Sequence, residues 1–346
     1  MAQKTTTIRD VAEKAGVSVS TVSHVLNGND QHVGATVRQR VLGIVQELGY
    51  RPNAIARSMV KRKTATIGLI ITEVDNPLFV PVVESANAVL RAAGHHILLA
   101  SAPDLKSEKK AIETLRAQQV DGIIFMAISL GYPNDHLLHL KEDGVPLVVI
   151  NRSMGDSGIH QILLDDRGAG FSATQHLLQF GHTRVGTICG PIYHDPPRRS
   201  AVERHRGWQE ALQQAGLSLQ QQWIVEGGYT YEGGYQAAQT IIAQELERPH
   251  LRPTALFIAN EMMAVGALKA FQQAGIRIPQ DVAIVTIGDP PFLAYTMPAL
   301  TTLASPVAEA GHLAATMLLD WFKEGKPAPF HPITLNFHLV VRESCL

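Results

Sequence analysis

Eight short apolar runs punctuate residues 66–288, and most are separated by a longer stretch with helical spacing. The runs are "TIGLIIT", "HHILLAS", "DGIIFMA", "PLVVIN", "QILLD", "RVGTICG", "TALFIA" and "VAIVTIG". They mix Val, Ile, Leu and Phe without polar alternation, as strands covered on both faces do. Residues 78–93, 107–118, 169–179, 202–215 and 260–274 carry the 3.6-residue spacing of amphipathic helices between them. Strand and helix in alternation predict parallel sheets in an α/β arrangement. There are too many strands for one comfortable sheet, so the reading is two similar lobes dividing near Asp165.

The first 63 residues follow a different rule. Thr7-Ile-Arg-Asp10 fits a capping box, Ile8, Val11, Ala12 and Ala15 follow at helical spacing, and Gly16 can end the helix. Ser18 is a good N-cap for a second helix. There Val22, Val25 and Leu26 share one face, while Ser20, Ser23, His24 and Asn27 share the other. A third helix has Val37, Val41, Ile44, Val45 and Leu48 as its apolar stripe. Two short helices around a tight turn, then a third, outline a helix-turn-helix. Short polar side chains let a helix lie deep in a major groove, where hydroxyls and imidazole reach base edges.

Charge supports a polyanion partner for this head. It holds ten of the chain's 30 Lys and Arg but only four of its 31 Asp and Glu, so a basic head precedes an acidic body. A solvated basic tail would lack the patterned helices. The two cysteines, Cys189 and Cys345, give neither a disulfide framework nor a metal pattern. With no apolar signal region and no run long enough to cross a membrane, a cytoplasmic protein without a membrane partner is expected.

"TIRDVAEKAGVSVSTVSHVLNG" followed by "VRQRVLGIVQELGYRPNAIARSM" closely resembles the head of the lactose/galactose repressor (LacI/GalR) family through nearly every position of residues 7–59. The resemblance implies a transcription regulator, a repressor that binds palindromic operator DNA as a homodimer. It implies that Val19, Ser20 and His24 face bases, that Thr21, Ser23, Asn27 and Arg38 hold or orient phosphates, and that Thr7 and Ala56 also lie at the DNA. Residues 51–63 correspond to the hinge, a helix too short to be stable alone. The family uses an apolar wedge there in the minor groove, usually Leu; here it is Met59. The expected fold is an N-terminal three-helix helix-turn-helix domain (1–50), the hinge helix and linker (51–63), and a two-lobed, periplasmic-binding-protein-like α/β core with parallel sheets (64–346). Three crossings between lobes are implied: lobe one about 64–165 plus 296–325, lobe two about 166–295 plus 326–346.

Ligands of open parallel sheets sit at the carboxyl ends of strands. Ser129, Asn151, Arg152, Asp165, Tyr229, Asn260 and Gly288 stand at such ends. By motif, the family's effector positions fall on Phe79 in "NPLF", Arg152 in "INR", and Arg198, Ser200 and Arg204 in "PRRSAVERHRGW". Tyr229 in "GGYTYEGGY" and Asn260 in "FIANEMMAVGA" complete the set, with Ser129 and Asp165 from the strand ends. Two departures bear on the ligand. The family's Asn-Asp is Asn260-Glu261, and its ligand-binding Asp falls on Gly288, leaving Asp289 in second place. With that carboxylate missing and three arginines kept, the expected effector is an anion: a sugar acid such as gluconate, or a sugar phosphate. The alternative is a neutral sugar or nucleoside with Asp289 shifted into the site.

Other signals carry less. "GAGFSA" (168–173) matches a dinucleotide fingerprint but lacks its acidic partner. "GDSG" (155–158) lies in a polar loop, and His95-His96 has no zinc-site context. No nucleophile–base pair is visible, so neither an enzyme nor a cofactor or metal is expected. A solute-binding module would explain the core but leave the basic head idle.

Overall fold

The structure, a computed structural model, describes residues 6–28, 32–50, 63–126, 134–194, 197–247, 252–325, 327 and 332–345. The chain forms two compact units, residues 1–64 and 65–346.

In the first unit, α1 (Ile8–Ala15), α2 (Val19–Leu26) and α3 (Ala35–Glu47) enclose a small core. Val11, Ala12, Ala15, Val22, Val25 and Val41 are buried in it. The capping box forms at Thr7 and Asp10, and Gly16 ends α1 in the left-handed region at φ 62°. The Ser18 side chain accepts from the Thr21 amide and starts α2. Only Val41 of the α3 stripe is fully buried; its other members pack at the margin.

The second unit holds two six-stranded sheets. The first contains β1 (Thr66–Ile71), β2 (His96–Ser101), β3 (Gly122–Met126), β4 (Leu147–Ile150), β5 (His160–Leu164) and β11 (Ile333–Leu335), in the order β11-β5-β4-β3-β1-β2. The second contains β6 (Val185–Cys189), β7 (Ile224–Glu226), β8 (Ala255–Ile258), β9 (Ala283–Ile287), β10 (Thr301–Ala304) and β12 (His338–Val340), in the order β12-β10-β9-β8-β6-β7. All pairings are parallel except β10 with β12. The helices are α4 (Phe79–Ala92), α5 (Leu105–Ala117), α6 (Asp135–Glu142), α7 (Asp166–Gln179), α8 (Arg199–Gln214), α9 (Tyr231–Glu247), α10 (Glu261–Gln273) and α11 (Val307–Glu324).

Strand β5 of sheet one ends at Leu164, and α7, from Asp166, leads into β6 of sheet two. The later boundaries need correction. Residues 296–304 do not return to lobe one: β10 pairs with β9, Thr301 opposite Val285 and Thr302 opposite Thr286. Two threonines hide this strand from an apolar-run reading, but both are fully buried with their hydroxyls engaged by main chain and neighbouring side chains. The return comes after Ala304, and α11 then packs on α4. Nor do residues 326–346 all belong to lobe two, because β11 extends sheet one beside β5.

Close helix crossings set the second lobe. A Cβ on Gly170 of α7 would meet the Arg204 carbonyl at 2.1 Å, and one on Gly207 of α8 would meet the Arg167 carbonyl at 2.0 Å. The same device joins α9 and α10, through Gly234 against Met263 and Gly266 against Tyr231. The "GAGFSA" glycine at 170 thus serves backbone contact, and the crossing fixes where Arg204 stands.

Candidate functional site

A cleft lined by both sheets lies between the lobes, at the strand ends where ligands of open parallel sheets sit. Its walls come from the carboxyl ends of parallel strands. Sheet one supplies Thr72 and Glu73 after β1, Met126 at the end of β3 and Asn151 after β4. Sheet two supplies Tyr229 after β7, Asn260 and Glu261 after β8, and Ile287 closing β9. The start of α4 adds Phe79, and Arg198, the N-cap of α8, completes the wall with Ser200 and Arg204 in its first turns.

Each side chain is held for an identifiable reason. Asn260 caps α10, accepting from the Met263 amide at 3.0 Å, while its Nδ2 donates to the Tyr229 carbonyl at 3.4 Å. Tyr229 sits at φ 64°, a costly conformation for an aromatic residue. Its hydroxyl lies 3.3 Å from Ser200 Oγ, and its ring packs where a Cβ on Gly190 would be. Arg198 and Arg204 stand over that ring at 5.9 and 6.0 Å. Asn151 is also left-handed, at φ 56°, so two of the strained positions face the cleft.

The charges are balanced within the protein. Arg204 is buried; its Nε donates to Asp166 Oδ1 at 2.9 Å and its Nη1 to the Ala259 carbonyl at 2.6 Å. Burial opposes its charge, but Asp166, Tyr229 and Glu261 outweigh that and raise its pKa. Arg199 donates to the other Asp166 oxygen at 3.1 Å. Arg198 reaches from lobe two to Glu73 of lobe one at 3.2 Å, a half-exposed pair of small energetic worth that depends on the lobes' separation. Glu261 is buried, and desolvation, only partly offset by its own backbone amide and by Arg204, pushes its carboxyl up to about 7.

Phe79, Arg198, Ser200, Arg204, Tyr229 and Asn260 therefore converge as expected. Three residues do not. Arg152 turns away, because left-handed Asn151 gives the cleft to its own side chain. The Arg152 guanidinium instead binds Glu108 at 3.0 Å and Asn134 at 2.8 Å, over the Phe125 ring. Asp165 is the N-cap of α7, accepting from the Gly168 amide at 2.8 Å, and its neighbour Asp166 is the carboxylate that meets the arginines. Asp289 pairs with Arg342 at 2.7 Å and does not enter the cleft. Ser129, Ala56 and Met59 lie outside the described residues. Glu73 and Asp166 escaped the sequence reading, where Glu261 stands only as a departure from the family's Asn-Asp and not as a site residue.

On the head, α2 exposes Val19, Ser20 and His24, while Thr21, Ser23 and Asn27 are half-buried. Ser18 Oγ lies 2.7 Å from Ser20 Oγ and 2.8 Å from Thr21 Oγ1, and Asn27 Nδ2 donates to the Ser23 carbonyl at 2.7 Å. Thr7 is exposed, its hydroxyl on Asp10 at 2.8 Å, and Arg38 is exposed on α3.

Comparison with known proteins places these two units. Residues 7–53 match the bacterial regulatory proteins of the lacI family, and residues 174–345 match a periplasmic binding protein-like domain. The ribose operon repressor of Haemophilus influenzae is 35% identical over 339 residues, covering 98% of both chains. The chain belongs to the LacI family. The repressor PurR of Erwinia tasmaniensis is 35% identical over 318 residues, covering 91% of this LacI-family chain and 89% of that one. Among solved structures, the lac repressor dimer bound to operator and the anti-inducer ONPF superimposes with TM-score 0.84 at 26% identity, covering 99% of this chain and 100% of that one. The regulator CelR with cellobiose matches at TM-score 0.71 and 30% identity over 98% of this chain and 99% of that one. LacI-family repressors bind operator DNA and small-molecule effectors and form dimers. The chain is a ligand-responsive DNA-binding repressor of this type, not an enzyme. No described helix is long and apolar enough to cross a membrane.

Proposed function

We propose that the effector is a neutral, hydroxyl-rich small molecule of the carbohydrate class, and that its binding between the lobes changes the head's affinity for a palindromic operator bound by a homodimer. One observation carries the choice of ligand. The anionic expectation rests on the family's carboxylate missing at Gly288 with the arginines kept, but the cleft holds two other carboxylates, Glu73 and Glu261. Arg198 is matched by Glu73, while Arg199 and Arg204 both bind Asp166. Both arginines that line the cleft, Arg198 and Arg204, already hold a carboxylate, whereas alternating donors and acceptors suit hydroxyls. Phe79 and Tyr229 supply apolar surface for a sugar ring, and relatives named for ribose and cellobiose support the class.

Calorimetric titration with neutral pentoses, hexoses and cellobiose against aldonates and sugar phosphates tests this. A neutral member is expected to bind; binding confined to the anions would overturn the neutral reading.

For the head, the proposal is that Val19, Ser20 and His24 read bases, while Thr7, Thr21, Ser23, Asn27 and Arg38 orient or hold the backbone and the hinge positions Ala56 and Met59 act in the minor groove. His24→Ala is expected to relax base preference at its contacted position by about 1–3 kcal/mol. Arg38→Ala should weaken binding to all sites alike and flatten the salt slope by roughly one. Quantitative gel shifts on an operator variant series check both. An unchanged preferred sequence for His24→Ala would remove it from the reading set.

A further inference from the structure

The carboxylate of Glu261 and the glycine at 288 are two halves of one arrangement. Gly288 follows β9 at φ 93°, a conformation that side chains rarely adopt. A Cβ built there would meet Glu261 Oε2 at 2.3 Å and Cδ at 2.8 Å. Glu261 thus occupies the space that a side chain at 288 would need. It opens α10, directly after the Asn260 cap, and its side chain lines the cleft. Arg204, its closest cation, is engaged with Asp166 and the Ala259 carbonyl. Asp289, beside the glycine, faces Arg342 instead.

We propose that Glu261 is the effector-discriminating carboxylate of this cleft, admitted by the bare backbone of Gly288, and that it accepts hydrogen bonds from effector hydroxyls. This rests on the carbohydrate reading above and deepens it. A buried carboxylate that holds no full ion pair weakens the fold, so its presence needs a use.

The charge state then reports the ligand. Arg204 on α8, Tyr231 at the start of α9, Tyr229, and the Arg198–Glu73 pair are the charged and titratable groups around it. Burial lifts the Glu261 carboxyl from 4.5 to about 7. The native state therefore holds a proton that the unfolded chain has lost, and stability falls as pH rises from 4.5 to about 7. Hydroxyl donors favour the ionised form, so a neutral sugar should bind more tightly as pH rises. An aldonate carboxylate favours the protonated form and should bind more weakly.

The test is calorimetry on the full chain at about pH 6 and about pH 8, with neutral pentoses and hexoses and their aldonates as probes. Wild type, Glu261→Gln and Glu261→Asp are compared, each with a thermal melt. The neutral binder should tighten by about tenfold across that interval. Glu261→Gln should cost at least about tenfold in affinity at the higher pH and flatten the profile. Its melting temperature should be no lower than wild type, which separates lost contact from lost fold. Glu261→Asp, one methylene shorter, should also bind more weakly. Wild-type affinity and pH profile in Glu261→Gln would overturn the assignment while leaving the carbohydrate reading intact. Binding confined to aldonates, loosening with pH and strengthened by Glu261→Gln, would keep Glu261 as the discriminating group and overturn the neutral effector. No binding by any probe would overturn both.

Discussion

Replacing Asp166 by alanine is expected to destabilise the core by about 3–5 kcal/mol and to abolish the response to effector. The Asp166 side chain is fully buried and bound by Arg204 at 2.9 Å, Arg199 at 3.1 Å and Asn151 at 3.3 Å. Its loss leaves the buried Arg204 guanidinium without its counter-charge, and most of the cost comes from that stranded cation rather than from the missing bond. The site suffers for the same reason. Arg204 stacks over Tyr229 and lines the cleft, so an unbalanced Arg204 would move or draw in water and anions. Urea unfolding gives the stability change. The double variant Asp166→Asn with Arg204→Met should recover much of it, while effector affinity stays lost. Additive losses in the double variant would mean that the two residues do not act as a pair.

The second large effect belongs to the head. Val22→Asp places an unpaired carboxylate at a fully buried position of a small core, with six buried apolar side chains among the described residues. Such a burial costs several kcal/mol, more than a domain this small can spare. Operator binding should fall by about a thousandfold or more, to the level of non-specific DNA binding. Because residues 1–64 and 65–346 are separate compact units, effector affinity and the thermal transition of the core should be unchanged. A core transition that shifts with the head would show that the two do not fold independently.

Much of the fold was legible because it is written in short-range pattern. The eight apolar runs all became strands, and the capping box, Ser18 cap and Gly16 stop bounded the head helices where expected. What escaped was structure whose reason lies elsewhere in the chain. The β10 strand reads as polar because two of its four residues are threonines, yet both are buried against β9 and its neighbours. Helix α9 carries Gly233 and Gly234 in its first turn, poor helix formers whose missing side chains permit close approach to the Gly227 carbonyl and to Met263 of α10 respectively.

The cleft divides the same way. Residues placed by motif at strand ends converged, since the parallel topology brings those ends together. Direction at a single residue did not follow from sequence: φ at Asn151 sends Arg152 away, and a one-residue shift makes Asp165 a cap and Asp166 the charge partner. The departures at Gly288 and Glu261 were each visible. That they compensate one another is visible only in the fold, where Glu261 fills the space a side chain at 288 would need.

On the proposed function, a carbohydrate bound between the lobes controls how tightly the head holds DNA. Fluorescence anisotropy of the full chain on a labelled palindromic operator, titrated across salt with and without the saturating sugar, tests it most directly. Affinity should fall linearly with log salt, at roughly −0.9 per phosphate contacted. The sugar should displace that line by about 5- to 150-fold at every salt concentration. A sugar that saturates the cleft and leaves operator affinity unchanged would contradict the account.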